Sequence, residues 1–233
     1  MTNTRHQAVE ALQARIGHRF ADQPLLDRAL THSSVGAGAR KPPDNERLEF
    51  LGDRVLGLIM ADHLVGADSE ATAGALSSRL AGLVSRQACA RVAREIGLGA
   101  ALRLPGGETR RGGRDHESIL ADACEALIAA LYVELGLESA AALVLRMWAP
   151  LTSEPFDRAT SDPKSALQEW AAAQGHPPPV YATVGRSGPD HAPVFTIEAR
   201  VGDLAPARAE GASLQSGQKL AALALLRRET TPK

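Results

Sequence analysis

Aromatic residues are scarce in this chain of 233 residues, since phenylalanine, tryptophan and tyrosine together make up only 3% of it. The apolar content of 44% therefore comes mainly from aliphatic side chains. All-β folds draw on aromatic and β-branched residues, whereas alanine and leucine favour helices. The composition argues against an all-β fold and predicts a mostly helical protein, long enough for two modest domains.

Cysteines and long apolar runs are also rare. The two cysteines, Cys89 and Cys124, lie far apart without metal-ligand spacing, which excludes a disulfide scaffold and predicts buried free thiols. The longest apolar runs, such as residues 126–133 (ALIAALYV), fall far short of the roughly 20 residues that span a membrane. The first residues lack the apolar region of a signal peptide. We therefore expect a cytoplasmic protein without a membrane partner.

Neither charge dominates, because the formal net charge is −1 at pH 7. A nucleic-acid-binding protein often carries a clear basic excess. On net charge alone, the chain would therefore be taken for a small-molecule enzyme. Local patterns have to decide its function.

Apolar residues recur at helical intervals over most of residues 5–152, which predicts a helical domain. Within it, residues 104–118 carry four glycines and a proline without periodicity, and they predict a flexible basic loop. The polar residues 153–160 predict a linker. Residues 161–230 then change in texture, with a helical segment, three short β-rich runs and a final helix, and they predict a small α-β-β-β-α domain.

Carboxylates occur inside the apolar helical segments. Glu46, Glu49 and Asp53 are three and four residues apart in NERLEFLGDRVLG, so a helix would align them along one edge of its apolar face. Asp122 and Glu125 are three apart in ILADACEALIAAL. If these two helices pack together, the converging carboxylates repel one another unless a cation neutralises them.

Oxygen ligands without nearby histidine or cysteine select a hard cation such as Mg²⁺ or Mn²⁺. Such an ion activates water and stabilises the leaving oxygen in the cleavage of phosphate esters. The alternative for any single acid is a surface charge paired with a neighbour, as Glu46 with Arg47 or Asp53 with Arg54. The spacing predicts a metal site and leaves the choice between the two ions open.

The string NERLEFLGDRVLG (residues 45–57) closely resembles the signature of the ribonuclease III family. ALTHSS, GGRDHESILADACEALIAALY and DPKSALQEW resemble its bacterial members in the same order, so that the resemblance covers about residues 10–229. It implies a fold of the α plus α+β class, with an all-helical endonuclease domain at 5–152 and a double-stranded RNA-binding domain at 161–230.

The resemblance also implies an activity. The expected protein is a homodimeric, Mg²⁺-dependent endoribonuclease, with Mn²⁺ as a second choice, that processes ribosomal RNA precursors and messenger RNA stems. Each subunit would cut one strand of double-stranded RNA and leave 5′-phosphate and 3′-hydroxyl ends. The alternative is a catalytically silent protein on the same fold that binds double-stranded RNA or assists assembly.

Matching positions carry the family's site residues onto this chain. The resemblance implies that Glu49, Asp122 and Glu125 bind the metal and that Asp53 and Glu125 are tied most closely to hydrolysis. Glu46 would shape the acidic valley and contact RNA.

Further residues are implied to contact partners. Phe50 would insert into the partner subunit, the alternative being an ordinary core residue of its own chain. In the domain at residues 161–230, called the tail below, the resemblance implies RNA contacts by Gln168, Glu169, His191 and Lys219.

Two departures from the family pattern stand out. Ala73 occupies a place where an acid is usual, and Glu70 is the nearest substitute. At the start of the last helix, Leu214 and Gln215 replace two basic residues that normally lie over RNA phosphates. We expect the change at Ala73 to remove a secondary contact of the acidic site without abolishing cleavage. We expect the change at Leu214 and Gln215 to lower the affinity for RNA.

Overall fold

The computed structural model describes residues 2–36, 42–154, 158–189 and 192–230. The chain divides into two compact units. The first comprises Met1–Ala71 and Leu80–Glu154, and the second comprises Thr72–Arg79 and Pro155–Lys233.

Helices make up the regular elements described before residue 155. Their order is α1 (Thr2–Ile16), α2 (Gln23–Ala29), α3 (Glu46–Ala67), α4 (Ala73–Leu83), α5 (Arg86–Glu95), α6 (Leu98–Ala101), α7 (Gly106–Arg110), a 3-10 turn (Gly113–Asp115) and α8 (Glu117–Thr152). Local chemistry starts several of them. Asp22 caps α2 by accepting from the backbone N–H of Leu25, and Ser85 caps α5 by accepting from that of Ala88.

Helices α3 and α8 pack along each other at the centre of the first unit. The buried side of α8 is rich in alanine, which lets another backbone come close. The closest approach is at Gly52 of α3, where an added Cβ would lie 1.8 Å from the backbone carbonyl oxygen of Glu125. No residue with a side chain fits there without moving one of the two helices.

Helix α8 is interrupted at Gly136, which has φ 77° and ψ 173°. The interruption divides α8 into two helical segments. Among the described helices, α8 is the one whose length and composition would suffice to cross a membrane. Most of its residues between 119 and 131 are buried and it packs against α3 and α5, so within this unit it is a core helix.

The prediction of an irregular loop at residues 104–118 is wrong, because this segment contains α7 and the 3-10 turn. The carbonyl of Pro105 accepts hydrogen bonds from both the backbone N–H and the hydroxyl of Thr109, which starts a short helix. Arg114 then donates to three backbone carbonyls in and just after α6, at 2.8–3.0 Å. These contacts depend on residues outside the segment.

The second unit contains the start of α4 and, from residue 158 onwards, a short helix followed by the predicted α-β-β-β-α order. The elements of this later part are α9 (Arg158–Ser161), α10 (Pro163–Ala173), β1 (Val180–Ser187), β2 (Val194–Arg200), β3 (Ala207–Gly211) and α11 (Leu214–Thr230). The strands form one antiparallel sheet in the order β1-β2-β3, with a register shift between Thr183 and Gly185. A single apolar core joins the sheet to α10 and α11; it consists of Leu167, Ala171, Ile197, Ala199, Val201, Ala207, Ala221, Ala222, Leu225 and Leu226.

The substitution Gly52→Ala tests the closest contact between α3 and α8. We expect it to lower the free energy of unfolding by about 3 kcal/mol, because the new methyl group overlaps the Glu125 carbonyl. Gly66→Ala is the matched control in the same helix, since a Cβ there meets nothing within 4 Å. It should leave stability within about 1 kcal/mol of wild type or raise it. Denaturant unfolding followed by circular dichroism measures both, and equal midpoints would contradict the packing described here.

Candidate active site

Four carboxylates come together where α3 packs on α8. Glu49 and Asp53 lie one helical turn apart and flank Gly52, and Asp122 and Glu125 lie one turn apart on α8. Because Gly52 contacts the backbone of Glu125, the acids of both helices fall within electrostatic reach of one another. The structure thus brings together the two acidic pairs selected from the sequence.

Glu125 has the most perturbed carboxyl group of the four. Burial raises its pKa to about 7, and the negative charges of Asp53, Glu49 and Asp122 add to the rise. Arg86 acts in the opposite direction. At neutral pH about half of the Glu125 side chains therefore hold a proton when no metal is bound.

Glu49 and Asp122 are shifted in the same direction. Burial raises the pKa of Glu49, and the charges of Asp122 and Glu46 raise it further. Burial also raises the pKa of Asp122, against the effects of Arg86 and His32. The cluster is thus held in a partly buried position where its negative charges are unfavourable without a cation.

Sequence reasoning missed two residues that border this cluster from α5. Arg86, the first residue of α5, lowers the pKa values of Glu49, Asp122 and Glu125. One turn later, the Sγ of Cys89 donates a hydrogen bond to Oε1 of Glu125 at 3.9 Å. Burial raises the pKa of Cys89 to about 12, so its thiol keeps the proton it donates. No local signal reveals either contact, because α5 and α8 meet only in the folded chain.

The four carboxylate groups are not directed towards one common point. Asp53 forms an ion pair with its neighbour Arg54, whose guanidinium lies 4.6 Å from the ring centroid of Phe50. Glu125 is oriented towards Cys89. In the described residues, no three His, Cys, Asp or Glu side chains are grouped closely enough to hold an ion. The donor chemistry nevertheless fits a hard divalent cation, because all four side chains offer carboxylate oxygens.

Three further positions considered for the acidic site are exposed. Glu46 is exposed at the start of α3, and its charge raises the pKa of Glu49. Ala73 is exposed at the start of α4. Glu70 is exposed in the preceding turn and is not among the charges that shift Glu49, Asp122 or Glu125. The structure therefore does not support Glu70 as a substitute for the acid that the family pattern has at position 73.

Phe50 is 66% exposed, so the alternative of an ordinary core residue within its own chain is wrong. Leu58 and Val65 are also exposed and follow Phe50 by eight and fifteen residues, which places all three along one side of α3. Arg54 lies on the same side. An exposed apolar stripe of this length is typical of a surface for protein contact.

Predicted RNA-binding residues of the second unit lie on its helices. Gln168 and Glu169 are exposed on α10, and Lys219 is exposed on α11. His191 lies outside the described residues. Leu214 and Gln215 are both exposed in the first turn of α11, where the family pattern has basic residues.

Comparison with protein families assigns the two parts of the chain separately. A family described as Ribonuclease-III-like matches residues 22–151, and the double-stranded RNA binding motif matches residues 163–229.

Relatives match over nearly the whole length. The Ribonuclease 3 of Caulobacter vibrioides is 55% identical over 95% of this chain and 96% of its own, and that of Cereibacter sphaeroides is 49% identical over 94% and 95%. A crystal structure of the nuclease domain of ribonuclease III from Campylobacter jejuni is also similar. It has a TM-score of 0.59 and 35% identity, and the match covers 67% of this chain and all of that one.

The pKa of Glu125 yields a test that needs no RNA. Its value in the fold, about 7, lies above the ordinary value of 4.5, so the folded protein binds the extra proton and loses stability as pH rises between these values. Glu125→Gln cannot titrate. In EDTA we expect its stability relative to wild type to increase by about 1 to 2 kcal/mol from pH 5 to pH 8, allowing for solvent screening.

Denaturant unfolding at the two pH values measures this difference, with Glu138→Gln as the control on an exposed carboxylate of the same helix. Adding MgCl₂ at pH 8 should stabilise wild type and the control more than Glu125→Gln. Parallel pH profiles for all three proteins would show that Glu125 does not carry the raised pKa.

Proposed function

The chain belongs to the ribonuclease III family, and on that basis we propose how its carboxylates cut double-stranded RNA. The family membership and the tail motif together make it an endoribonuclease that acts on double-stranded RNA. The observation that carries the mechanism is the packing of α3 on α8, which gathers four carboxylates and raises the pKa of Glu125 to about 7.

The proposed cofactor is Mg²⁺, with Mn²⁺ as the alternative, held by Glu49, Asp122 and Glu125. Their oxygen donors and their unfavourable mutual charge support this assignment. When bound, such an ion supplies Lewis-acid chemistry by activating water and stabilising negative charge on the phosphate.

Asp53 and Glu125 are the proposed catalytic residues. Their carboxylate oxygens would orient the attacking water and accept its proton. The raised pKa of Glu125 belongs to the metal-free site, because a bound cation would favour the charged carboxylate. The thiol of Cys89 holds one Glu125 oxygen in place. Asp53 must give up its pair with Arg54 to face the other acids. Attack on phosphorus with release of the 3′ oxygen leaves 5′-phosphate and 3′-hydroxyl ends.

The proposed assembly is a homodimer in which each subunit cuts one strand. The exposed stripe of Phe50, Leu58 and Val65 supports it. A second, similar structure of the Campylobacter jejuni nuclease domain is described as flexible in a region involved in dimer formation. Phe50 is the proposed anchor that enters the partner subunit.

The tail is the proposed second contact with RNA. The proposed domain limits are 5–152 and 161–230, and the proposed RNA contacts of the second domain are Gln168, Glu169, His191 and Lys219. The proposed location is the cytoplasm, and the proposed substrates are ribosomal RNA precursors and messenger RNA stems.

Cleavage of a long RNA duplex separates the enzyme from a silent binding protein on the same fold. With Mg²⁺, wild type should produce short fragments, and Glu125→Gln should cut at least about 100-fold more slowly because it loses a proton acceptor and a ligand charge. Glu138→Gln on the exposed part of α8 should match wild type. If wild type binds the duplex in Mg²⁺ but leaves it intact in gel analysis, the silent alternative is correct.

Replacement of Phe50 tests the dimer. Phe50→Asp should weaken self-association at least about 100-fold, because an aromatic anchor is replaced by a charge that must be desolvated. Leu220→Asp is the control, since Leu220 is 46% exposed on α11 in the other unit. Sedimentation equilibrium gives the monomer–dimer constant. Equal constants for wild type and Phe50→Asp would exclude Phe50 from the interface.

A further inference from the structure

The first turn of α11 lacks the basic pair that the family pattern places over RNA phosphates. Leu214 and Gln215 stand there, both exposed, and Lys219 follows one turn later. Acidic and basic residues are nearly equal in number from residue 160 onwards. Affinity for nucleic acid grows with the number of phosphates neutralised, so the position of each remaining uncompensated cation matters.

Lys164 on α10 carries a positive charge that is not paired with a carboxylate among the described residues. Its Nζ donates to Oε1 of Gln218 at 2.9 Å and lies 4.9 Å from the ring centroid of Tyr181. An amide oxygen and an aromatic face orient an ammonium group without neutralising it. Asp162, two residues earlier, uses its carboxylate to cap α10 by accepting from the N–H of Ser165.

The arginines of the sheet provide a contrast within the same unit. Arg200 and Arg208 each donate their Nε to the buried carboxylate of Glu198, at 2.5 and 2.7 Å. That carboxylate offsets one of their two charges, whereas both contacts of Lys164 are with neutral groups.

The ammonium group also lies close to the missing cations. Gln218 follows Leu214 by four residues and Gln215 by three, so all three share one side of α11. On α10, Lys164 and Gln168 are four residues apart and share a side as well. The contact between Lys164 and Gln218 therefore holds a positive charge about one helical turn from the positions where the basic pair is absent.

We propose that Lys164 is a phosphate-binding residue of the tail, positioned by Gln218 and Tyr181, and that it takes over part of the role of the missing pair at 214 and 215. Nζ has three donors, and Gln218 uses one of them. The inference rests on the proposed binding of double-stranded RNA and names a residue that the family pattern did not assign to it.

The substitution Gln218→Glu tests the proposal with nearly the same side-chain shape, because it places a carboxylate beside the Lys164 ammonium. The full chain is titrated with a short RNA duplex in EDTA, so that cleavage does not interfere. We expect affinity to fall about tenfold, and the slope of log Kd against log salt to become shallower by about one. Gln174→Glu, at the far end of α10, adds the same charge ten residues from Lys164 and should change affinity less than about twofold.

Lys164→Gln removes the cation itself and should reproduce the shallower salt slope, whereas Lys164→Arg should retain most of the wild-type slope. Thermal unfolding of each variant is measured in parallel. A merely structural lysine would lower the melting temperature and leave the salt slope unchanged. Leu214→Lys with Gln215→Lys serves as the positive control and should steepen the slope by about two.

Unchanged salt slopes for both Gln218→Glu and Lys164→Gln would overturn the inference while leaving the nuclease intact, provided that wild type binds and cuts the duplex. Failure of the wild-type chain to bind duplex RNA under any salt condition would instead overturn the proposed function, and the inference with it.

Discussion

The contact between Gly52 and the backbone of Glu125 is the constraint on which the first unit depends. It sets the distance between α3 and α8 and therefore the distance between the acids they carry. Glu49 and Asp53 flank the glycine, and Asp122 lies one turn before Glu125. Burial of the Glu125 carboxyl is the largest cause of its raised pKa. The absence of a side chain at Gly52 thus allows the close packing of α3 on α8 and with it the proximity of the four carboxylates.

The cluster of carboxylates lowers the stability of the metal-free fold. A partly buried group of carboxylates destabilises the metal-free fold at neutral pH, and the apolar surface buried along α8 has to outweigh that cost. Arg86 and His32 lower the pKa values of individual acids. Neither charge is paired directly with a carboxylate of the cluster in the described part of the chain. The residual negative charge is the property that supports the proposed binding of a small, highly charged cation.

Patterns among residues close in sequence correctly predicted the elements that depend on such residues. Helical periodicity identified α3, and the change to short β-rich runs identified the α-β-β-β-α order, because both patterns involve residues a few positions apart. The short helix and turn within residues 104–118 were missed, since Arg114 secures them through carbonyls of a different helix. Cys89 was taken only as a buried thiol because its partner is 36 residues away. The pair between Asp53 and Arg54 shows that spacing predicts which side chains are near, and not where they point.

Dimerisation through the exposed stripe on α3 would explain why the tail carries so little net positive charge. In the proposed dimer, one duplex meets two tails, and the second binds at a high effective concentration once the first is engaged. Each tail then needs fewer phosphate contacts, so the loss of the pair at 214 and 215 is tolerable if one well-held cation remains.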